Sequence, residues 1–153
     1  MSNKKIKPIG IKMPAFQKWN VYIFSIVLAV TGLWWTSVHE VVISKNLKLM
    51  HQLIMVHGVV ALFCLIIFGS VITQHVRLAW ITKRNRISGG LVFLSISLIA
   101  LTGLGLYYAN EDLHDFYKWV HLALGIALII LMPLHIIMGR RRIAKKSNNI
   151  HDR

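Results

Sequence analysis

Eight histidines carry the most distinctive chemistry of this chain, and four of them fall inside long apolar segments. His57 and His75 share one segment, whereas His121 and His135 share another. A polar side chain is costly inside a membrane, so a histidine there indicates a functional site. Imidazole nitrogens bind iron and other transition metals. These four residues are therefore the candidate ligands for a metal or a metal-containing cofactor. The other histidines lie in or beside predicted loops or in the C-terminal tail: His39, His51, His114 and His151.

The spacing within each segment places its two histidines towards one face of a helix. At about 100° per residue, the 14 residues from His121 to His135 leave the rings about 40° apart. The 18 residues from His57 to His75 return to the same azimuth. Because both segments are predicted to run from the outer surface inwards, His57 pairs with His121 and His75 with His135. The pattern predicts two sites stacked through a membrane.

The two steps differ in length, which makes the inner pair harder to align. At 1.5 Å per residue, 14 residues rise about 21 Å and 18 residues rise about 27 Å. Helix tilt or a kink at Pro133 is expected to absorb the difference of about 6 Å. For His75, which is close to Gln74 and Arg77, the alternative is a hydrogen bond across the bundle without a ligand role.

The helices that position these histidines must form from four apolar stretches of the chain. These stretches cover about residues 21–35, 49–73, 91–108 and 116–138. The hydrophobic fraction is 56% and the charged fraction 15%, below the roughly 25% charged residues of soluble domains. A bilayer-spanning helix needs about 20 apolar residues, and lipid forces each span to be helical. The predicted fold is all-α, an integral membrane four-helix bundle over residues 19–139. Basic tails flank the bundle at residues 1–18 and 140–153.

The charges predict the orientation of the bundle. The net charge is +13, and 15 of the 18 Lys and Arg residues lie in the two tails or in the loop after the second span. Positive residues accumulate on the cytoplasmic side of membrane proteins, so both termini are predicted to be cytoplasmic. Topology accounts for the basic residues, and no nucleic-acid partner is predicted.

An internal repeat suggests two helical hairpins of similar plan. Residues 30–35 (VTGLWW) resemble residues 101–108 (LTGLGLYY), and residues 55–57 (MVH) resemble residues 119–121 (WVH). Gly32 and Gly103 in these repeats are expected to let a neighbouring helix or another bulky group approach closely.

Short motifs over most of residues 19–142 resemble the di-haem cytochrome b and cytochrome b561 superfamily. They are His121-x3-Gly125-x9-His135, His75-Val-Arg-Leu-Ala-Trp80, Asn85-Arg-Ile-Ser-Gly89 and Leu101-Thr-Gly-Leu104. The chain differs from respiratory cytochrome b in its 18-residue step, with Val71 where a fourteen-residue step would fall. It differs from bacterial cytochromes b561 in having no histidine inside the first span.

The resemblance implies a membrane electron carrier that binds two b-type haems, or one if His75 is not a ligand. His57, His121, His75 and His135 would be the haem ligands. Arg77 and Arg140 could pair with the propionates of the inner haem, and the alternative for both is anchoring at the cytoplasmic surface. The expected location is a bacterial inner membrane, with a quinone or a partner redox protein or subunit to exchange electrons. Whether the chain is an electron-transfer protein or a subunit of an oxidoreductase stays open.

The sequence leaves two other function classes open beside the cytochrome. One is a haem-free membrane scaffold or assembly subunit whose histidines make hydrogen bonds between helices. The other is a divalent-metal carrier, which would need carboxylates beside the imidazoles, and the spans contain none at depth. The single cysteine, Cys64, excludes a disulfide framework and a cysteine-based metal site.

Overall fold

The computed structural model describes residues 13–41, 47–83 and 85–151, and no strand occurs among them. The predicted all-α class is confirmed. The helices are α1 (Ala15–Thr36), α2 (Leu47–Val71), α3 (Arg77–Ile81), α4 (Arg86–Tyr108) and α5 (Glu111–His151). Two π-helical segments extend this set, Ser37–Val41 after α1 and Ile72–Val76 between α2 and α3.

Four helical segments are long and apolar enough to cross a membrane: Ala15–His39, Leu47–Ile81, Arg86–Tyr108 and Glu111–Arg142. Their outward faces carry large apolar side chains, among them Ile26, Ile66 and Leu101, each 62% exposed. Soluble monomers rarely expose apolar patches of this extent. The surface therefore suits a lipid environment, as expected of a multi-pass membrane protein.

The helices reach beyond the predicted spans. Helix α1 begins at Ala15, before the predicted span, and α5 continues through Pro133 as far as His151. The predicted domain boundary at residue 139 therefore coincides with no break in the helix, since the Arg and Lys residues that follow are good helix formers. Residues 1–12 of the predicted N-terminal tail lie outside the described residues.

The helices form two antiparallel hairpins. Helix α1 packs along α2, and α4 packs along α5. In the first hairpin, Gln17 near the start of α1 bonds Ser70 near the end of α2, while Thr31 contacts His57 at the other end. The second hairpin shows the same opposed order of contacts. The two hairpins predicted from the internal repeat are thus present.

The two hairpins associate so that α2 and α5 lie diagonally across the bundle. Helix α1 touches α5 at a few positions, and α2 meets α4 where the rings of Phe68 and Phe93 lie 5.5 Å apart. Since α1 and α4 each neighbour both α2 and α5, the two remaining pairs, α2 with α5 and α1 with α4, are the diagonals of the bundle. Helices α2 and α5 run parallel, so the start of α1 and the end of α5 lie at the same end of the bundle.

A tight turn between α3 and α4 sets where α4 begins. Lys83 and Asn85 adopt left-handed backbone conformations, with φ of 54° and 47°. The Arg86 guanidinium donates two hydrogen bonds to the carbonyl of Trp80, from Nε at 3.0 Å and from Nη2 at 2.6 Å. The same carbonyl, near the end of α3, also accepts a hydrogen bond from the Lys83 amide at 3.4 Å. The turn thereby places Ser88 in the first turn of α4.

Candidate cofactor site: two histidine pairs

The four histidines of the apolar segments meet in two pairs across the centre of the bundle. The ring centroids of His57 and His121 lie 6.3 Å apart, with an angle of 69° between the ring planes. The centroids of His75 and His135 are also 6.3 Å apart, at 89°. The pairing is the one expected from depth along the helices, and each pair joins the diagonal helices.

The centroid separation suits two imidazoles that share one metal ion. A metal–nitrogen bond to histidine is about 2.0 Å long and the ring centre lies about 1.1 Å beyond the nitrogen, so ligands on opposite sides of an ion have centroids about 6 Å apart. Direct ring-to-ring stacking would bring the centroids closer, as in the pair of Trp35 and His39 at 4.6 Å. Both pairs are edge-to-face, an arrangement in which rings in direct contact also lie about 4.5–7 Å apart, so the separation fits an ion between the rings and a direct ring contact equally.

The π-helical segment Ile72–Val76 contains His75 and helps to bring the inner pair to the same level. A π-turn closes hydrogen bonds five residues apart and holds more residues per turn than an α-turn. It therefore takes up part of the four extra residues in the step from His57 to His75 with less rise. Pro133 lies within the continuous helix α5. The sequence predicts tilt or a kink at Pro133, and it carries no signal for the π-turn.

His57 donates a hydrogen bond to a threonine of the neighbouring helix. Thr31 Oγ1 lies 2.9 Å from Nδ1 of His57 and donates its own proton to the Val27 carbonyl, at 2.7 Å. A hydroxyl has one proton to donate, so Thr31 accepts from Nδ1–H of His57. This tautomer leaves Nε2 without a proton, which is the form of imidazole that binds a metal.

His121 repeats this arrangement in the second hairpin. Thr102 Oγ1 lies 3.0 Å from Nδ1 of His121 and donates to the Leu98 and Ile99 carbonyls, both at 3.0 Å. Thr102 is 8% exposed, as is Thr31, so water does not compete for either hydroxyl. The internal repeat is therefore a repeat of one local structure, a threonine that orients a histidine of the next helix.

His135 has an equivalent partner that sequence reasoning missed. Ser88 Oγ lies 3.0 Å from Nδ1 of His135, and Ser88 also donates a longer bond of 3.4 Å to the Asn85 carbonyl. Ser88 precedes Thr102 by the same 14 residues that separate His121 from His135. That shared step was the available signal, since helices packed side by side keep matching steps in register.

A glycine follows each of these three hydroxyl residues and lets the ring lie against the helix backbone. A β-carbon built on the glycine would meet Cε1 of the histidine at 3.2 Å for Gly32, 3.4 Å for Gly103 and 3.3 Å for Gly89. The expectation that Gly32 and Gly103 permit close approach is confirmed, and the approaching group is a histidine ring. A hydroxyl residue followed by glycine is thus the unit that holds each of these three rings.

The fourth ring, that of His75, is held differently. Its Nδ1 atom is buried and has no hydrogen-bond partner within the described chain. The other three candidate ligands all have a hydroxyl at this atom. The nitrogen that would orient His75 therefore still needs an acceptor.

Protein donors alone do not complete a metal site at either pair. Among the described residues, no group of three or more His, Cys, Asp or Glu side chains could hold a metal ion. Protein-bound transition metals commonly need three or four protein ligands. A haem would take only two protein ligands, since its macrocycle supplies the other donors.

The predicted arginines and the remaining histidines do not join either pair. Arg77 and Arg140 are exposed, and neither makes a hydrogen bond or ion pair that ties it to the candidate ligands within the described part of the chain. Whether they contact propionates stays a prediction. His39 stacks on Trp35, and His51 and His114 are exposed near the ends of their helices.

Comparisons with known proteins assign the chain to no family. No protein-family model matches it, and neither a curated protein nor a solved structure matches it. The resemblance to cytochromes b stays an expectation that rests on short motifs. The geometry of the two histidine pairs is the observation on which a functional assignment can be built.

Proposed function

We propose that this protein is a b-type cytochrome of a bacterial inner membrane that holds two haems and carries electrons across the bilayer. The observation that carries the proposal is the common centroid separation of 6.3 Å in both histidine pairs. The hydroxyl partners add support, because Thr31 and Thr102 give their protons to backbone carbonyls and so leave Nε2 of His57 and His121 free to bind iron.

The chain's own residues would hold and orient the cofactors. His57 and His121 would bind one iron, and His75 and His135 would bind the other. Haem, when bound, supplies the one-electron chemistry of its iron. The surrounding helices exclude water, and the hydroxyl partners keep the rings in one tautomer and one orientation. Arg77 and Arg140 are the nearest cations in sequence for the propionates of the inner haem.

Two sites on one helix would link the two membrane surfaces. The 14-residue step from His121 to His135 corresponds to about 21 Å along α5, in a hydrocarbon core about 30 Å thick. Each site therefore lies towards a different surface. The electron donor and acceptor would be a quinone and a partner redox protein or subunit, and the chain would serve as an electron-transfer protein or as one subunit of an oxidoreductase.

The orientation in the membrane gives a direct prediction. Because 15 of the 18 basic residues belong to the two tails or to the loop after the second span, we expect the end of the bundle at which α1 begins to be cytoplasmic. Reporter fusions at Asn46 and Glu111 should show a periplasmic location, and fusions at Lys83 and Arg153 a cytoplasmic one. A cytoplasmic signal at Glu111 would contradict both the orientation and the assignment of His57 and His121 to the periplasmic side.

A haem-free scaffold is the second candidate, and one observation favours it. His57, His121 and His135 already make hydrogen bonds between helices, which is the role that structural histidines would have. A scaffold needs no specific distance between His57 and His121, whereas a haem site does. The two candidates therefore differ in whether the facing rings bind iron.

An absorption spectrum of the purified protein separates these candidates. We expect a Soret band and a sharp α band that appears on reduction, with two haems per chain by pyridine haemochrome assay. Low-spin spectra would indicate two imidazole ligands per iron. Protein purified after expression with ample haem that shows no reducible Soret band would support the scaffold and contradict the cytochrome.

The clearance beside His57 predicts the effect of filling it. Gly32→Val should displace the His57 ring, because even a β-carbon at this position would meet Cε1 at 3.2 Å. We expect the outer haem to be retained roughly 10-fold less well, a typical cost of disturbing groups around a metal ligand. Haem content after detergent purification measures this. Gly58→Val is the matched control on α2, since a β-carbon there meets no atom within 4 Å.

A further inference from the structure

Three buried side-chain atoms lack a hydrogen-bond partner among the described residues: Oδ1 of Asn85, in the turn before α4, and two atoms of the first hairpin and its extension. The latter two are Oε1 of Gln17 on α1 and Nδ1 of His75 in the π-helical segment. Buried polar atoms in proteins are nearly always paired, so each unpaired one calls for an explanation. Oε1 of Gln17 is an acceptor, and Nδ1 of His75 becomes a donor in the tautomer that binds a metal through Nε2.

The position of Gln17 on α1 matches that of Ser88 on α4. Ser88 lies 14 residues before Thr102, and Gln17 lies 14 residues before Thr31. Thr102, Ser88 and Thr31 each contact Nδ1 of a candidate ligand on the neighbouring helix of their own hairpin. Gln17 therefore stands on α1 where Ser88 stands on α4. His75 is the one candidate ligand that has no such partner yet.

A serine fixes which way the Gln17 amide points. Gln17 Nε2 donates to Ser70 Oγ at 3.2 Å, and Ser70 Oγ donates its own proton to the Ile67 carbonyl at 2.7 Å. Since the Ser70 hydroxyl has no further proton to give, it must face the NH₂ group of the amide. Oε1 is thereby left as the free end, and it can only accept.

The same contact places the amide one turn from His75. Ser70 precedes His75 by five residues, the interval that a π-turn brings into line along the helix axis. The longer side chain of glutamine also suits this site, because the 18-residue step moves His75 further along the axis than a 14-residue step would. A serine or threonine at position 17 would have a shorter reach.

We infer that Gln17 is the positioning residue of His75, with Oε1 accepting a hydrogen bond from Nδ1–H of the imidazole. The bond would keep Nε2 deprotonated and turned to the metal, as the threonine hydroxyls do for His57 and His121. The inference rests on the proposed haem function, because the free nitrogen matters only if a metal binds it. It assigns the inner site an amide partner where the outer site has two threonines.

Redox titration of the purified protein tests this assignment. An acceptor at Nδ1–H makes the imidazole a stronger donor and favours oxidised iron, so Gln17→Leu should raise the midpoint potential of the inner haem. A tenfold loss of preference for the oxidised state corresponds to about 59 mV for one electron. Gln17→Glu keeps an acceptor oxygen and should hold the potential at or below that of the wild type. The inner signal is identified as the one that disappears in His75→Ala.

Thr31→Val provides the matched control on the same helix. It removes the hydroxyl beside His57 and should raise the potential of the outer haem while leaving the inner one in place. Electron paramagnetic resonance of the oxidised protein gives a second readout, since only the inner low-spin signal should change in Gln17→Leu. A merely structural role for Gln17 would instead lower the stability of both sites and would not be rescued by glutamate.

The outcomes separate the inference from the function on which it rests. Wild-type protein with two haems and an inner potential that does not move in Gln17→Leu would overturn the role of Gln17 and leave the cytochrome standing. Equal shifts of both haems would overturn it as well. Wild-type protein without haem would overturn the proposed function itself.

Discussion

Replacing His57 or His121 with alanine is expected to reduce the haem content from two per chain to one. Each ring would supply one axial ligand to the outer iron, and a single imidazole leaves the other axial position open. The expected loss is large because the two rings meet across the bundle centre with their centroids 6.3 Å apart. Pyridine haemochrome assays and low-spin spectra of the purified variants measure the loss.

The same helices provide controls for this experiment. His51 lies on α2 with His57, and His114 lies on α5 with His121, and both are exposed. Alanine at His51 or at His114 should leave the haem content at two per chain. If His57→Ala and His121→Ala both kept the full haem content and an unchanged spectrum, these residues would not be the ligands.

Replacing His75 with alanine is expected to remove the inner haem and with it electron flow across the membrane. The inner pair has the same separation as the outer pair, 6.3 Å, so we expect two haems in the wild type and one in the variant. In vesicles with ferricyanide trapped inside and a reductant outside, the rate of transmembrane electron transfer should fall at least about 10-fold, in line with the loss of a metal-site ligand.

The spectrum of the outer haem is the internal control, and it should persist in His75→Ala. One haem per chain in both the wild type and His75→Ala would show that His75 is not a ligand. The protein would then be a one-haem cytochrome that serves the periplasmic side alone. One haem in the wild type and none in the variant would make His75 a ligand of the only haem and contradict the outer pair.

The two histidine pairs could be predicted from the sequence, because they follow from the composition, length and spacing of its apolar segments. A segment of about 20 apolar residues must become a helix in lipid, because its backbone groups have no water to bond. Helix geometry then converts the step from His121 to His135 into a shared face and a rise. Direction alternates from span to span, so His57 and His121 share one level and His75 and His135 share the other.

The partners of the rings depended on which helix faces meet. Thr31 and Thr102 lie in the visible repeat, yet their contact with Nδ1 of a histidine requires the hairpins to pack in one particular register. Ser88 and Gln17 carry no repeat signal beyond a 14-residue step. For Ser88 the neighbouring helix carries the same step, whereas for Gln17 the register is shown by the contact with Ser70.

Local composition thus determined the number of helices, their apolar faces and the depth of each histidine. Tertiary packing decided how the mismatched step from His57 to His75 is accommodated. The composition of segment Ile72–Val76 would equally suit an α-helical turn, and nothing in it indicates a π-helix. An isolated helix would keep α geometry there, because a π-turn is intrinsically unfavourable and rare. Only contacts with the neighbouring helices can favour that turn, which brings His75 to the level of His135.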